Sequence, residues 1–351
     1  MPLQEELVDL ARTYLARQEE WSALAQRLRF NLGKITYPDA LEADLLYPVK
    51  AQKPNGKFAA VDGGLGAEEF HGLDLLVLRA LAVQFEYNDG KLVKHVYHPS
   101  RRPEALLQAR AGLEQFEKLR FISLYRLKAE LSCAIEVMEK HAPDYLLIDG
   151  SLAPLVSDKP PEDSQFRQLY AEVVELYRKL YSTAASRSIN LVGVTKDSRG
   201  RRFIDMLSSS MPESAAALEH ASDTAFLDLL LKEGERTFAF RYSAAPSQNP
   251  VLKDLGEWAG RILTFYIKPV AGDRPLRIEF LAAAAPFEQI SQVMTGLCRL
   301  HPHYAYPAVL IEADLRAAME PKEVEGVVAD LSARLGRHRF MPLRRNSRPF
   351  R

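Results

Sequence analysis

Two cysteines in 351 residues, Cys133 and Cys298, with no CxxC pair, leave no disulfide framework and no cysteine-based zinc motif. The fold must therefore be held by burial alone, in keeping with a reducing compartment. No charge excess exists either: 46 Lys and Arg balance 46 Asp and Glu, so nothing global announces nucleic acid and only local patches can. The opening MPLQEELVDLARTYL carries acids and lacks the basic start and apolar heart of a signal peptide. No apolar run approaches bilayer length, and a soluble cytoplasmic protein is expected. Walker A, GxGxxG and GxSxG patterns are missing, which disfavours nucleotide hydrolysis, dinucleotide binding and the common serine-esterase arrangement. His71, His95, His98 and His141 have no zinc-site spacing. What the chain has in quantity is apolar residues, 47%, enough for a substantial core.

The apolar pattern predicts a mixed α/β sheet with one central core. Residues 3–31 have helical spacing, with Leu7, Leu10, Ala11 and Tyr14 on one stripe and Trp21, Leu24 and Leu28 on another. After a linker containing Pro38, a strand ends at Asp62. Leu73 to Tyr87 reads as strand in its second half, and Asn88–Asp89–Gly90 as a hairpin turn into LVKHVYH. Pro103 and Glu104 are expected to open a helix reaching His141, with an apolar face of Leu106, Leu107, Leu113, Phe116, Leu119, Leu124, Leu127 and Leu131. A strand to Asp149, a helix over 164–185, a strand over 190–194 and a helix capped at Ser222–Asp223 follow. Three further strands, a helix near 287–299 and one over 310–319 lead to a tail with seven arginines in its last 18 residues. That tail can track a nucleic-acid backbone, bind an acidic partner or serve solubility.

Asp62 and Asp149 each leave a buried strand and are followed by glycine, in AAVDGG and LLIDGS. An aspartate there needs a positive or hydrogen-bonding partner. Two of them suggest a divalent metal between neighbouring strands; each alone is also an ordinary turn. Glu130, on the long helix, and Asp314, in the late helix among Val309, Leu310, Ile311 and Ala313, can complete such a cage with hard oxygen donors for Mn²⁺ or Mg²⁺. The bland alternative for Glu130 is a surface charge paired with Arg126 or Lys128. Glu86 is a rival ligand on a strand beside Asp62. Two such ions can activate water and stabilise the leaving oxygen of a phosphodiester. Lys196 follows a strand directly, where it can meet the scissile phosphate. Arg199, Arg201 and Arg202 can hold flanking phosphates or form an exposed polar loop. His301, in the proline-bounded loop HPHYAYP, suits a general acid, a phosphate contact or a ligand; His303 suits a structural loop better.

In order and spacing, VDGG at Asp62, Glu130, LLIDGSL at Asp149, LVGVTKDS at Lys196, SDTAFL at Asp223 and HPHYAYPAVLIEAD resemble the NurA nuclease family over most of the chain. The resemblance implies an RNase H-like core over 46–335, behind an N-terminal helical region (1–45) and before a basic tail (336–351). It implies a Mn²⁺-dependent nuclease acting on single-stranded DNA and, from a 5′ end, on duplex DNA, in DNA-end resection and double-strand break repair. A homodimer docked on a hexameric HerA-type ATPase is implied as well. Asp62, Glu130 and Asp149 would hold metal and Lys196 would contact the reacting phosphate. Archaeal relatives often have histidine where this chain has Asp314, so the fourth ligand stays open among Asp314, His301 and Glu86. VDGG replaces the commoner DGS but keeps the carboxylate and the turn. The alternatives are an RNase H-like enzyme acting on RNA, and a non-catalytic DNA-end scaffold of an ATPase complex. Convergence of the three carboxylates separates the enzymes from the scaffold.

Overall fold

A computed structural model of the chain describes residues 2–30, 37, 39–281 and 285–335. Pro38 and the tail beyond residue 335 lie outside the described residues. In chain order the elements are α1 (Pro2–Phe30), β1 (Leu46–Pro48), β2 (Gly56–Phe70), β3 (Leu73–Asn88), β4 (Lys91–His98), β5 (Leu106–Arg110), α2 (Gln115–His141), β6 (Tyr145–Asp149), α3 (Arg167–Ser186), β7 (Asn190–Thr195), α4 (Arg202–Ser210) and α5 (Asp223–Leu230). Then come β8 (Glu235–Thr237), β9 (Phe240–Arg241), β10 (Ile262–Lys268), β11 (Leu276–Leu281), α6 (Phe287–Leu297), α7 (Ala308–Ala317) and α8 (Pro321–Leu335). Among the described residues no helix is long and apolar enough to cross a membrane.

One sheet runs in the order β1-β8-β10-β11-β7-β6-β2-β3-β4, with β5 added to β3 and β9 to β10. Its centre has a definite logic. β4, β3 and β2 form an antiparallel meander, turned at Asp89 (φ 47) and Gly90 (φ 82), the two positive-φ positions that a tight hairpin requires. β2, β6 and β7 are parallel, so each connection must cross a face of the sheet, and α2 and α3 lie in these two crossovers. This meander joined to a parallel trio is the RNase H-like arrangement expected from the sequence.

Side chains alternate across β2, and the core divides accordingly. Ala59 and Val61 pack with Phe121, Leu124, Leu131 and Met138 of α2 and Val173 and Leu180 of α3. Phe58 and Ala60 point to the opposite face, against Ile290 and Met294 of α6 and Val309 and Leu310 of α7. Fully burying one such aliphatic or aromatic side chain is worth about 1.5–3 kcal/mol, so both faces contribute heavily. A third cluster joins Trp21, Leu24 and Leu28 of α1 to Phe203, Phe226 and Phe238. The single central core expected from the sequence is thus two layers around a sheet, plus an annex under α1.

Three further expectations need correction. Residues 106–110 are not the start of a helix: Leu106 and Leu107 pair with Leu78 and Val77 of β3, and α2 begins only at Gln115. Pro103–Glu104 imitates a helix start, but the free edge of β3 captures the next leucines. Phe116 and Leu119 are consequently exposed, while Leu113, Leu124 and Leu131 are buried. The first stripe of α1 does not meet the core either, Leu7 and Leu10 being 54% and 67% exposed. Finally, α8 occupies residues where the sequence suggested only an approach to the tail.

A carboxylate cluster on two parallel strands

Val61 of β2 lies opposite Ile148 of β6 in the parallel register, so the next residues, Asp62 and Asp149, emerge beside each other. β6 ends at Asp149, but β2 does not end at Asp62 as expected and runs on to Phe70, because β3 continues to pair with it. Adjacent strands are about 4.8 Å apart, a separation at which like charges repel unless compensated. Burial and the neighbouring Asp149 and Asp314 push the Asp62 carboxyl up to about 7, although the Gly63 N–H donates to its Oδ1 at 2.7 Å and pulls the other way. Asp314, on α7, is among the carboxyls close enough to Asp62 to raise it.

The two glycines after Asp62 let the flanking helices approach. A Cβ at Gly63 would stand 2.5 Å from Glu130 Oε1, so α2 can lay this carboxyl directly on the strand. A Cβ at Gly64 would stand 1.8 Å from the Ala317 carbonyl, which is how α7 brings Asp314 down onto β2. Glu130 is buried and its pKa is pushed up to about 8, by burial first and by Asp62 and Asp149 as well, with Arg126 opposing. Arg126 Nε lies 3.6 Å from it, whereas Lys128 pairs with Glu172 at 2.7 Å. Asp314 itself is exposed, although its neighbours Leu310 and Ala313 are buried; its shelter is less than the sequence suggested.

Lys196, immediately after β7, closes the other side. Its Nζ is 3.0 Å from Asp149 Oδ2 and 4.1 Å above the centroid of the Tyr306 ring. Burial alone would lower the lysine's pKa, but Asp149 outweighs it and holds the ammonium protonated. Tyr306, 1% exposed, donates its hydroxyl to the Val194 carbonyl at 3.4 Å, and burial with the neighbouring charge of Asp149 keeps that hydroxyl protonated. In the sequence Tyr306 is only one tyrosine of the proline-bounded loop HPHYAYP. Its one local signal was the Tyr–Pro pair before α7.

Beside Glu130 and Asp149 a cavity of ≈ 470 Å³ extends past Ser151, Arg199, Tyr242 and Arg277. Arg199 is exposed on its rim. Arg201 and Arg202 are engaged elsewhere: Arg201 donates to the carbonyls of Leu218 and Ala221, and Arg202 to Asp39 Oδ2 at 2.5 Å. His301 is exposed, and its Nδ1 accepts from the His303 N–H at 3.1 Å within its own loop. Glu86 lies opposite Lys57, five residues along the ladder from the Asp62–Leu81 pair and so about 16 Å away.

Among the described residues no group of three or more His, Cys, Asp or Glu side chains is drawn tightly enough to enclose a metal ion. The donor set nevertheless fits a hard divalent cation, because it offers carboxylate oxygens only. Burial chiefly, and the neighbouring carboxyls in addition, raise Asp62 and Glu130, and a bound cation would offset both effects by favouring the ionised carboxylates.

No curated protein sequence matches the chain. Among solved structures, the NurA nuclease from Sulfolobus solfataricus is similar with a TM-score of 0.59 at 18% identity, covering 95% of this chain and 97% of that one. A NurA structure bound to dAMP and manganese gives 0.59 at 11% identity, covering 96% and 98%. At these identities the likeness establishes the fold. The NurA domain model, in turn, matches residues 56–319, which include the four clustered carboxyls, Lys196 and Tyr306, and the chain belongs to the NurA domain family.

Proposed function

We propose that the chain is a metal-dependent DNA nuclease that hydrolyses phosphodiester bonds at DNA ends during resection and double-strand break repair. The observation that carries this reading is the grouping of Asp62, Asp149, Asp314 and Glu130 where β2 and β6 run side by side, with burial first and the neighbouring carboxyls second raising the pKa values of Asp62 and Glu130. A scaffold gains nothing from such a grouping, since it weakens the fold unless a cation joins it.

In this reading Asp62, Asp149, Glu130 and Asp314 hold Mn²⁺, with Mg²⁺ as the substitute; manganese is named in two of the similar NurA structures. A divalent ion at such a site supplies Lewis acidity at the phosphoryl oxygen and a lowered pKa for the attacking water. The chain's own groups do the rest. Lys196 holds Asp149 and is itself seated over the Tyr306 ring. The Lys196 ammonium adds positive charge where the phosphate gains negative charge in the transition state. Arg199, exposed at the cavity rim, holds a flanking phosphate, and His301 lies outside the first set of contacts.

Single-stranded DNA and duplex ends digested from the 5′ terminus are the substrates the family resemblance favours. It also favours a cytoplasmic homodimer docked on a HerA-type hexameric ATPase. The test is cleavage of 5′- and 3′-labelled single- and double-stranded DNA with Mn²⁺, Mg²⁺ or EDTA, alone and with the cognate ATPase. Metal-dependent products are expected, with duplex digestion starting at 5′ ends. No products under any of these conditions would leave the DNA-end scaffold as the better reading.

A further inference from the structure

Under the cluster, β11 carries two charged residues that the nuclease reading does not use. Arg277 and Glu279 lie two apart on one face of the strand, opposite Thr195 and Gly193 of β7, and are 7% and 1% exposed. Their carboxylate and guanidinium bond at 2.8 Å, from Arg277 Nε to Glu279 Oε1. The other oxygen, Oε2, accepts from Ser151 Oγ and from the Leu152 N–H, both at 2.8 Å. Glu279 is thus saturated by the loop that begins at Asp149. Gly193 makes this reach possible: a Cβ there would stand 2.7 Å from the Gly150 carbonyl.

The arginine faces the second loop. Its Nη1 would be 3.0 Å from a Cβ at Gly200, and it donates to the Tyr266 hydroxyl at 3.5 Å. Tyr266 in turn donates to Asp223 Oδ2 at 2.9 Å, and Asp223 is fully buried. The Asp223 N–H bonds the Gly200 carbonyl at 2.8 Å, and the Thr224 hydroxyl bonds the Ser198 carbonyl at 3.1 Å. Ser198 and Gly200 follow Lys196. One buried polar chain therefore joins the loop carrying Asp149 to the loop carrying Lys196.

We propose that the Arg277–Glu279 pair, extended through Tyr266 and Asp223, is a positioning device that sets the Asp149–Lys196 separation for phosphodiester cleavage. It rests on the nuclease reading above. A buried ion pair is poor value as a stabiliser, because apolar residues of similar volume do as well or better. Its worth here is geometric: it gives each loop a fixed hydrogen-bond partner on the same rigid strand. Neither Arg277 nor Glu279 needs to touch DNA for this role.

The test replaces the pair by apolar residues, Arg277→Met with Glu279→Leu, in the full chain. The double variant removes both charges of the pair together, but the Leu152 N–H and Ser151 hydroxyl lose their acceptor and Asp223 its nearby cation, so a lower melting temperature with a cooperative transition is expected. Its kcat on a labelled oligonucleotide should fall about 100-fold with KM little changed, the loss expected for misplacement of the reacting groups by about 1 Å. A folded double variant with wild-type kcat would overturn the proposal. Should that variant fail to fold, Tyr266→Phe decides: it removes one buried hydroxyl, and an about tenfold lower kcat is expected, a single hydrogen bond's worth. An unchanged kcat there overturns the proposal equally. Wild-type protein assayed alongside separates the two claims. If wild type cleaves and the variants are unimpaired, only the positioning role falls; if wild type never cleaves, the nuclease reading falls and takes the positioning role with it.

Discussion

The Lys196 ammonium stands 3.0 Å from the Asp149 carboxylate while lying 4.1 Å over the ring of Tyr306, whose hydroxyl donates to the Val194 carbonyl opposite Asp149 in the β6–β7 register. Three residues from three separate segments thus form one charge-compensated unit. Lys196→Ala should lower the single-turnover cleavage rate by about 100-fold, the size of effect seen when one preorganised electrostatic group is removed. DNA affinity, followed by fluorescence anisotropy without metal, should change far less. An equal loss in both would make Lys196 a phosphate clamp.

Tyr306→Phe separates the hydroxyl from the ring. The ring is buried against the α7 face of the sheet and should keep the fold and the cation–π contact. Loss of the bond to the Val194 carbonyl, beside Asp149 and two residues before Lys196, should slow cleavage by about fivefold, one neutral hydrogen bond's worth, with little change in melting temperature. A variant that cleaves normally would remove Tyr306 from the account.

Gly63 and Gly64 are neighbours with different predicted phenotypes. An added methyl at Gly63 meets the end of a movable side chain, Glu130, and should reduce cleavage while leaving the protein folded. At Gly64 it meets the Ala317 main chain, which cannot step aside. Gly64→Ala should therefore destabilise by about 1–3 kcal/mol, as overpacking does. Thermal melts and cleavage assays on the pair check both halves, and identical phenotypes would contradict this reading.

How much of this was legible in sequence follows from the range of each signal. Asp149 and Lys196 could be read because an apolar run followed by a charged residue is a local pattern that a strand end explains; the same pattern pointed to Asp62, although β2 runs on past it to Phe70. Glu130 required the rotation of α2, which depends on the α2 contacts with β2 and on the absence of a side chain at Gly63. Arg277 and Glu279 were passed over because LRIEFL alternates like a half-solvated strand, whereas β7 and the two loops cover it completely. β5 was lost to a helix because nothing near Leu106 says that β3 has a free edge. The basic segment after Lys196 was visible, but not that Arg201 and Arg202 are consumed by main-chain carbonyls and Asp39.

That last division yields a prediction about DNA binding. Arg199→Ala should weaken single-stranded DNA binding and reduce the salt slope by about one phosphate contact. Arg202→Ala should leave the slope alone and lower the melting temperature, since Asp39 loses its partner. A reduced slope in Arg202→Ala would show that the Asp39 pair opens on DNA.

Glu323 ties α8 to the sheet. Its carboxylate accepts from Arg79, from Arg102 at 3.2 Å and from the Glu320 N–H at 3.0 Å. Burial would raise its pKa, but these donors prevail and hold it down at about 2. A carboxyl whose pKa is depressed in the folded state stabilises the fold above its unfolded value, near 4.5, and loses that contribution as pH falls towards 2. Glu323→Gln should therefore melt below wild type at pH 7, and the two curves should converge as pH approaches 2. A gap that persists at low pH would assign the stabilisation to shape and not to charge.

The account stands or falls on whether the clustered carboxyls bind a divalent cation. The direct measurement is calorimetric titration of Mn²⁺ into wild-type protein, Asp62→Asn and Asp149→Asn, each checked for folding by its melting curve. The account predicts saturable binding by wild type and its loss in both folded variants. Equal Mn²⁺ binding by all three, or none by wild type in the presence of single-stranded DNA, would contradict it.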